Sequence, residues 1–405
     1  MGPPAATCSP EQGVRRPVSG VFWIFLKLGL TSFGGPIAHL GYFREAFVVR
    51  RRWFDEEAYA GLVALCQILP GPASSQVGFA IGLRAAGIAG ALAAFLGFTL
   101  PSAALMLGAA FGLHLLPETI RAPLFHGLIL VAVPIVAHAV TGMALRLCNR
   151  PLTAAIGGTA LSVLLAFQQA WLQPVTILAG GLTGMALIKA SARPHAAITN
   201  HVSTRLAVAC LITFVGLLAG LPLLAVSTGS TALAFVDGVY RSGALVFGGG
   251  HVILALLEPE TVGRALVDAD TFLAGYGAAQ ALPGPLSAFA GFLGAAATTG
   301  LPPLLAGVIA LAAVFAPGFL LLAGVLPFWT ALAARRWMAG LASGAGAAVV
   351  GVLAAALWRP VLTSAILSPA DALIAAIGLA ALLGRAPVWL VVLGVVVAGT
   401  YSSAG

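Results

Sequence analysis

The sequence predicts an all-α polytopic membrane protein made of two homologous repeats. First, 60% of its 405 residues are hydrophobic and only 8% are charged, whereas a soluble domain carries about 25% charged residues. Second, apolar runs of about 18 residues or more recur along the whole chain, as transmembrane helices require. The strands of a membrane barrel would alternate polar and apolar residues instead. Third, one series of short motifs occurs twice in the same order.

Apolar segments fill the chain between a polar tail and one polar linker. The tail, residues 1–17, contains Arg15 and Arg16 and has no recognisable signal peptide, which indicates a cytoplasmic N-terminus. Residues 190–204 are predicted to join a first repeat, 18–189, to a second, 205–405. The predicted apolar segments are 18–34, 58–83, 87–112, 122–147, 151–169, 171–189, 205–226, 231–257, 271–300, 302–329, 338–358, 361–383 and 387–403.

The internal repeat is carried by motifs that keep their order in both halves and align with a single one-residue gap. In each half a cation is followed by Phe-Gly-Gly, then by an acidic stretch, and then by a glutamine and Leu-Pro-Gly-Pro. The members in the two halves are Lys27 and Arg241, Gly34-Gly35 and Gly248-Gly249, Gln67 and Gln280, and Pro70-Gly71-Pro72 and Pro283-Gly284-Pro285. Internal repeats of this kind are common in transporters.

The two repeats are predicted to have inverted orientations. Between the Phe-Gly-Gly and Leu-Pro-Gly-Pro motifs the first half carries Arg44 and the run 50–52, whereas the second carries only Arg264. Further along, the bias is reversed, because the second half has two arginines, 335–336, near the position of the single Arg121. Since lysine and arginine set membrane topology, this exchange favours opposite insertion.

The Phe-Gly-Gly motif has two structural interpretations. Segment 18–34 has arginines on both sides, so a simple span would break the positive-inside tendency. Either the chain turns at Gly34-Gly35 and returns as a re-entrant hairpin, or it spans the membrane with a tolerated violation.

Each Leu-Pro-Gly-Pro motif predicts a discontinuous helix. Proline ends one helix, glycine permits the turn, and the second proline suits the first turn of the next helix. Irregular backbone at membrane depth is stable only inside protein or beside water. The new helix begins with free N–H groups, which can bind an oxyanion. A kink needed only for helix contacts is the alternative. Nearby hydroxyl donors are Ser74, Ser75 and Ser287.

Lys27 and Arg241 are the predicted cationic partners of the two turns. Charges within apolar runs are costly and usually face a pathway or a partner, although both side chains could instead extend to the membrane surface. Together with two helix N-termini they would form a symmetric receptor for a dianion. Further substrate-binding candidates are Arg84, Gln67 and Gln280, each of which also has a purely structural interpretation.

Four residues are candidates for proton coupling: His39, His251, Asp237 and Glu258. Histidine titrates near neutral pH and could carry a proton during transport. A histidine in a membrane protein can equally serve as a hydrogen-bonded structural group.

The sequence lacks the motifs of catalysis and of direct ATP coupling. It has no Walker motif, no Gly-x-Ser-x-Gly, no His-Glu-x-x-His and no Cys/His metal spacing among its four cysteines. We therefore predict a protein that is not an enzyme and that needs no cofactor or metal. The net charge of +8 lies in short clusters between apolar runs, so nucleic acid is not a predicted partner.

The chain resembles the chromate ion transporter family in its long-chain, two-domain form. The resemblance rests on "FLKLGLTSFGGPIAHLGYFREAFVVRRRWFDEEAYAGLVALCQILPGPASSQVGFAIG" and on "VFGGGHVILALLEPE" with "AAQALPGPLSAFAGFLG". The family's motif falls on Gly34, Gly35, Pro36, Gln67, Pro70, Gly71 and Pro72, and on Gly248, Gly249, Gln280, Pro283, Gly284 and Pro285. The second half has Gly250 where the first has Pro36.

The resemblance implies gradient-driven export of chromate across the bacterial inner membrane and hence chromate resistance. Sulfate or another oxyanion is an alternative substrate, and a passive anion channel is an alternative mechanism. The predicted partners are the oxyanion and the lipid bilayer, with a homodimer left open.

Overall fold

The protein is helical throughout the part of the chain that the computed structural model describes, which is residues 16–167, 169, 171–188, 202–333 and 335–402. Five helical stretches are long and apolar enough to cross a membrane: Ala73–Leu113, Glu118–Leu147, Thr204–Thr228, Pro303–Leu332 and Trp337–Ala365. The predicted all-α polytopic class is therefore confirmed. The predicted tail 1–17 and linker 190–204 lie mostly outside the described residues, and their boundaries stay predictions.

Seven helices form the first repeat: α1 Val18–Thr31, α2 Gly35–Arg44, α3 Glu56–Ile68, α4 Ala73–Leu115, α5 Glu118–Leu147, α6 Pro151–Ala166 and α7 Leu172–Leu187. Helix α8, Thr204–Thr228, follows the linker and has no counterpart among the described residues of the first half. The second repeat contains α9 Thr231–Ala244, α10 Val252–Thr261, α11 Ala269–Ala281, α12 Phe289–Ala296, α13 Pro303–Val325, α14 Trp329–Ala333, α15 Arg336–Ala356, α16 Thr363–Ala365, α17 Pro369–Leu383 and α18 Val388–Ser402.

The repeats correspond element by element. Helices α1, α2 and α3 correspond to α9, α10 and α11, and α5, α6 and α7 correspond to α15, α17 and α18. Short turns extend several helices: π-helical Glu45–Arg50 follows α2, π-helical Leu357–Leu362 follows α15, and the 3-10 turns Leu286–Ala288 and Leu326–Phe328 precede α12 and follow α13.

Helix α4 is a hairpin of two arms, 73–85 and 88–115. The backbone of Ala86 and Gly87 between the arms is non-helical. The arms fold back so closely that a Cβ atom on Gly82 would collide with the carbonyl oxygen of Gly90. Helices α12 and α13 form the equivalent hairpin, in which Gly294 lies against Ala306. Small residues thus allow both re-entrant arms to lie against a long helix.

The chain turns back at the first Phe-Gly-Gly motif, so the hairpin alternative is the one the structure shows. The guanidinium carbon of Arg16, before α1, lies 5.8 Å from the ring centre of Trp53, which follows α2. Arg84, at the end of the first arm of α4, lies 4.3 Å from the ring centre of Phe54, just before α3. The pair α1–α2 and the pair formed by α3 and the first arm of α4 are therefore two hairpins whose open ends lie at the same end of the molecule.

The start of α8, which follows the linker in sequence, lies at the same end of the molecule. Val202 and Ala207, at the start of α8, belong to the same buried apolar cluster as Phe54. We call this end the linker face. The opposite end, where α5 begins and α8 leads into α9, is the far face.

The six C-terminal helices of the two repeats interlock, and we call them the scaffold: α5, α6, α7, α15, α17 and α18. Helix α5 packs against α17 and α18 of the other repeat, and α15 packs against α6 and α7. Glycines mediate these crossings, because Gly127 lies against Val396 and Gly184 lies against Gly340. The repeats have exchanged their terminal hairpins, so neither repeat has a complete core by itself.

Helices α5 and α15 correspond to one another and run antiparallel. Leu147, at the end of α5, lies against Gly346 in the middle of α15. Ile129, near the start of α5, lines a cavity together with Ser364, beyond the end of α15. Two equivalent helices therefore run in opposite directions where they meet.

We predict that Gly184→Leu destabilises the protein, because any side chain at this position would collide with the backbone of Gly340 in α15. Overpacking of this kind costs about 1–3 kcal/mol or more, and thermal unfolding of the purified protein measures it. The matched control is Gly216→Leu on α8, where nothing lies within reach of an added Cβ. Equal unfolding temperatures for the two variants would contradict the exchanged scaffold.

Candidate functional site

The two Leu-Pro-Gly-Pro turns are held by reciprocal hydrogen bonds between the repeats. The Gly71 N–H donates to the carbonyl of Val246 at 2.8 Å, and the Gly284 N–H donates to the carbonyl of Ser32 at 3.0 Å. Val246 and Ser32 each stand directly before a Phe-Gly-Gly motif. Each broken helix is therefore secured by the other repeat's glycine motif. We call this region the crossing.

Glycine is required at the centre of each turn for two reasons. Gly71 has φ 131° and Gly284 has φ 100°, which side-chain-bearing residues rarely adopt. A Cβ on Gly71 would also lie 2.8 Å from the Cα of Gly318, and one on Gly284 would lie 2.9 Å from the Oγ of Ser102. Gly318 and Ser102 each follow a proline inside a long helix.

The glycine motifs meet at the centre of the crossing. Pro36 and its counterpart Gly250 face one another, since a Cβ on Gly250 would lie 3.3 Å from Pro36 Cγ. The contact between equivalent residues places the pseudo-twofold axis here. Gly34, Gly35, Gly248 and Gly249 all have positive φ.

The first turn of α4 begins at this crossing with buried polar groups. Pro72 is its N-cap, and Ser74 and Ser75 are each only 3% exposed. The first N–H groups of a helix have no intrahelical acceptor and form its positive end. In the second repeat, Pro285 precedes the turn that holds Ser287, which is 1% exposed.

Gln76 stabilises the first turn, and sequence reasoning missed it. Its Nε2 donates to the carbonyls of Pro70 and Gly318, both at 3.0 Å. These bonds tie the broken helix to α13 of the other repeat. The counterpart of Gln76 is Phe289, so the repeat comparison gave no signal. A glutamine in the first turn of an otherwise apolar re-entrant helix was the available clue.

Five buried polar side chains lie on the segments that meet at the crossing, and we call them the polar cluster: Ser32, His39, Ser74, Ser75 and Thr99. His39 Nδ1 lies 3.4 Å from Ser74 Oγ, and the His39 ring lies against Phe98, the neighbour of Thr99. Four buried atoms here have no hydrogen-bond partner among the described residues: Ser32 Oγ, His39 Nε2, Ser75 Oγ and Thr99 Oγ1. Unpaired buried polar atoms are rare and call for an explanation.

The second repeat carries different polar groups at the crossing. His251 Nδ1 lies 3.1 Å from the hydroxyl of Tyr276. The Nε2 atom of Gln280 and the Nδ1 atom of His138 are buried without a partner among the described residues. The two halves of the crossing have similar backbone conformations but carry different polar side chains.

The predicted cation pair does not form at the crossing, which corrects the expectation of a symmetric receptor. Lys27 is on the exposed stripe of α1 that contains Trp23, whose exposure is 65%. Arg84 lies at the linker face, one full arm away from the turn. The rotation of α1 and the length of the arm, which sequence spacing does not reveal, direct these side chains elsewhere.

Arg241 is neutralised by neighbouring acids. Its guanidinium lies 2.8 Å from Asp237 and 3.2 Å from Glu260, and Arg264 lies 2.8 Å from the same Glu260. Arg241, Asp237 and Arg264 line a cavity of about 660 Å³ at the far face. Glu258 is partly buried on α10, and Gln67 is exposed at the end of α3.

The comparison with known families gives one match over most of the chain. The family model described as Chromate transporter matches residues 19–185 and 233–400. The chain belongs to the chromate transporter family. Each matched region contains one Phe-Gly-Gly and one Leu-Pro-Gly-Pro motif, so the chromate transporter signature covers both repeats.

Relatives of this chromate transporter family member align along most of their length. A chromate transport protein of Pseudomonas aeruginosa is 28% identical and covers 87% of this chain and 84% of the relative. A probable chromate transport protein of Synechococcus elongatus is 27% identical, with 82% of each chain covered. An uncharacterized transporter of Methanocaldococcus jannaschii is 30% identical over 77% of this chain and 76% of the relative. No solved structure matches the chain.

We predict that Gln76→Ala destabilises the protein by about 1–3 kcal/mol, because two buried carbonyls would lose their donor. Gln67→Ala is the matched control, since this exposed side chain should change stability by no more than about 0.5 kcal/mol. Chemical unfolding of the purified protein measures both. If the two variants were equally stable, Gln76 would not secure the turn.

Proposed function

We propose that this protein is a secondary transporter that exports chromate across the bacterial inner membrane and thereby confers chromate resistance. The observation that carries the proposal is the polar cluster, where four polar atoms have no partner among the described residues. Its position at the crossing of two broken helices matches where transporters of repeat architecture bind their substrates.

The chemistry of the cluster suits a tetrahedral oxyanion. The hydroxyls of Ser32, Ser75 and Thr99 can donate hydrogen bonds, and the free N–H groups of α4 add the positive end of a helix. His39 can donate as well, according to its tautomer. Among the described residues no lysine or arginine belongs to the cluster. Binding by neutral donors and a helix end would hold a dianion without a fixed countercharge, which favours its release.

The distribution of charge supports a cytoplasmic linker face and inverted insertion of the repeats. The linker face carries eleven described arginines and four described acids: Arg16, Arg44, Arg50, Arg51, Arg52, Arg84, Arg146, Arg150, Arg205, Arg335 and Arg385, with Glu45, Asp55, Glu56 and Glu57. The far face carries Arg121, Arg264 and Arg359 together with the acids Glu118, Glu260, Asp268, Asp270 and Asp371. The same arrangement supports a cytoplasmic N-terminus, because Arg16 before α1 lies at the linker face.

The same charges support export rather than uptake. A basic surface raises the local concentration of oxyanions, and an acidic surface lowers it. Chromate would therefore collect at the cytoplasmic linker face and be repelled from the far face after release. The membrane potential, negative inside, favours outward movement of an anion in the same way.

Proton coupling is the part of the proposal that rests on the histidines. His39 belongs to the polar cluster, where its ring lies beside the hydroxyl of Ser74. His251 lies beside the hydroxyl of Tyr276 at the crossing. Either could bind a proton when the anion leaves. Asp237 and Glu258 stay candidates at the far face. Protonation of Asp237 would break its ion pair with Arg241.

We expect purified protein in proteoliposomes to move chromate against its own gradient when a pH gradient or a counter-anion gradient is imposed. Flux that only dissipates a chromate gradient would indicate a passive channel. Sulfate transported in preference to chromate would indicate a different oxyanion as the substrate. No flux of any oxyanion would contradict the proposed function.

We predict that Ser75→Ala weakens chromate binding roughly 10-fold or more, since the lost donor serves a charged ligand. The measurement is the concentration dependence of chromate flux. Ser162→Ala is the control, because this exposed hydroxyl donates only to Gly158 in its own helix. An unchanged concentration dependence in Ser75→Ala would remove the cluster from the substrate site.

A further inference from the structure

The two repeats differ in how their re-entrant hairpins contact the scaffold. In the second repeat, α11 packs along α5 and α18, and α10 packs against α15. In the first repeat, α3 has no comparable contact with α15 or α7 within the part of the chain that is described, and α2 has none with α5. The molecule therefore departs from its own twofold symmetry.

Exposure of equivalent residues shows the same difference. Leu273 on α11 is 0% exposed, whereas its counterpart Ala60 on α3 is exposed. Leu256 on α10 is 4% exposed, whereas its counterpart Tyr42 on α2 is 41% exposed. One hairpin surface is covered by the scaffold, and the equivalent surface is bare.

The uncovered surface of α3 has the composition of a helix contact. Ala60, Val63, Ala64 and Gln67 occupy it, and three of these four are small or apolar residues. Small residues allow helices in membranes to approach closely. On α11 the corresponding residues Tyr276 and Gly277 are buried, and Gly277 lies directly against the carbonyl of Leu128 in α5.

We propose that the bare face of α3 is a docking surface for α15 and α7, and that this structure is the state in which α11 is docked on the scaffold and α3 is not. In the opposite state α3 would pack on α15 and α7 as α11 now packs on α5 and α18, while α11 would separate from the scaffold. The occupant is thus a segment of the same chain, identified by the contact its counterpart already makes. This inference goes beyond the proposed function, because it concerns a conformational exchange and no particular substrate.

The exchange gives each face of the protein its own gate. In the proposed exchange, contact between α11 and α5 would restrict access from the far face, and contact between α3 and α15, which this structure lacks among its described residues, would restrict access from the linker face. Because the repeats share one backbone plan, the two states would use the same helix contacts in exchanged positions. The crossing lies between the gates and would be reached from one face at a time.

The test uses two glutamines as a matched pair of reporter positions. In a variant without the four native cysteines, Gln67→Cys on α3 and Gln280→Cys on α11 are compared for their rate of reaction with a charged maleimide. The protein is held as single copies in lipid nanodiscs, so that both faces are accessible. We expect the rate of cysteine labelling at position 67 to exceed the rate at position 280 by at least about 10-fold, because the state in which the scaffold covers α11 is the more populated one.

Two substitutions should shift the rates in opposite directions. Gly277→Ala places a methyl group against the Leu128 carbonyl and opposes the present state, so labelling at position 280 should rise roughly 5- to 150-fold. Ala64→Leu adds bulk to the bare face, which leaves this state undisturbed and obstructs the opposite one. Labelling at position 280 should then fall, while labelling at position 67 stays fast.

Three results would overturn the proposal. Slow labelling at position 67 would mean that lipid covers the bare face. Labelling at position 67 that slows when two copies share a nanodisc would mean that a second copy of the chain covers it. An unchanged rate at position 280 in correctly folded Gly277→Ala, or in Ala64→Leu if the first variant does not fold, would mean that no exchange occurs. None of these measurements needs a transported substrate. The proposed exchange of helix contacts can therefore be refuted while chromate transport stands, and chromate transport can be refuted while the exchange stands.

Discussion

The reciprocal hydrogen bonds between the turns and the glycine motifs are the interaction on which the structure depends. A break in a helix at membrane depth exposes backbone groups that lipid cannot satisfy. Here the Gly71 N–H finds the Val246 carbonyl, and the Gly284 N–H finds the Ser32 carbonyl. Each repeat therefore supplies the hydrogen-bond acceptor that the broken helix of the other repeat needs. The scaffold helices likewise pack mainly on helices of the other repeat. A single repeat in isolation would leave both its break and its long helix without partners.

The crossing that satisfies the backbone also concentrates polar side chains away from water. Ser75 lies on the first arm of α4 and Thr99 on the second, and both side chains are buried. Their hydroxyls have no hydrogen-bond partner among the described residues, and the hydrogen bonds that hold the first turn are made by Gly71 and Gln76. The cost of burying such groups is offset when a ligand binds them. The meeting of the two broken helices at the crossing thus accounts both for the fold and for the proposed binding site.

Local chemistry explains what the sequence could predict. Proline and glycine act on their own backbone, so the breaks at Pro70 and Pro283 and the repeat itself were predictable, as was the membrane class. Which way a side chain points depends on helix rotation and on neighbours distant in sequence. Lys27 therefore seemed to match Arg241, although one lies on an exposed stripe and the other is bound by acids. Gln76 was missed for the same reason, since its acceptor on Gly318 lies in the other repeat.

The most direct test of the account is the position of a bound oxyanion. A crystal structure of the whole protein with selenate, a tetrahedral dianion, would locate the anion by the anomalous signal of selenium. The account predicts a peak within hydrogen-bond distance of Ser75 Oγ and of the first N–H groups of α4. Selenate bound only beside Arg241 in the far-face cavity, or only at arginines of the linker face, would contradict the assignment of the crossing as the substrate site.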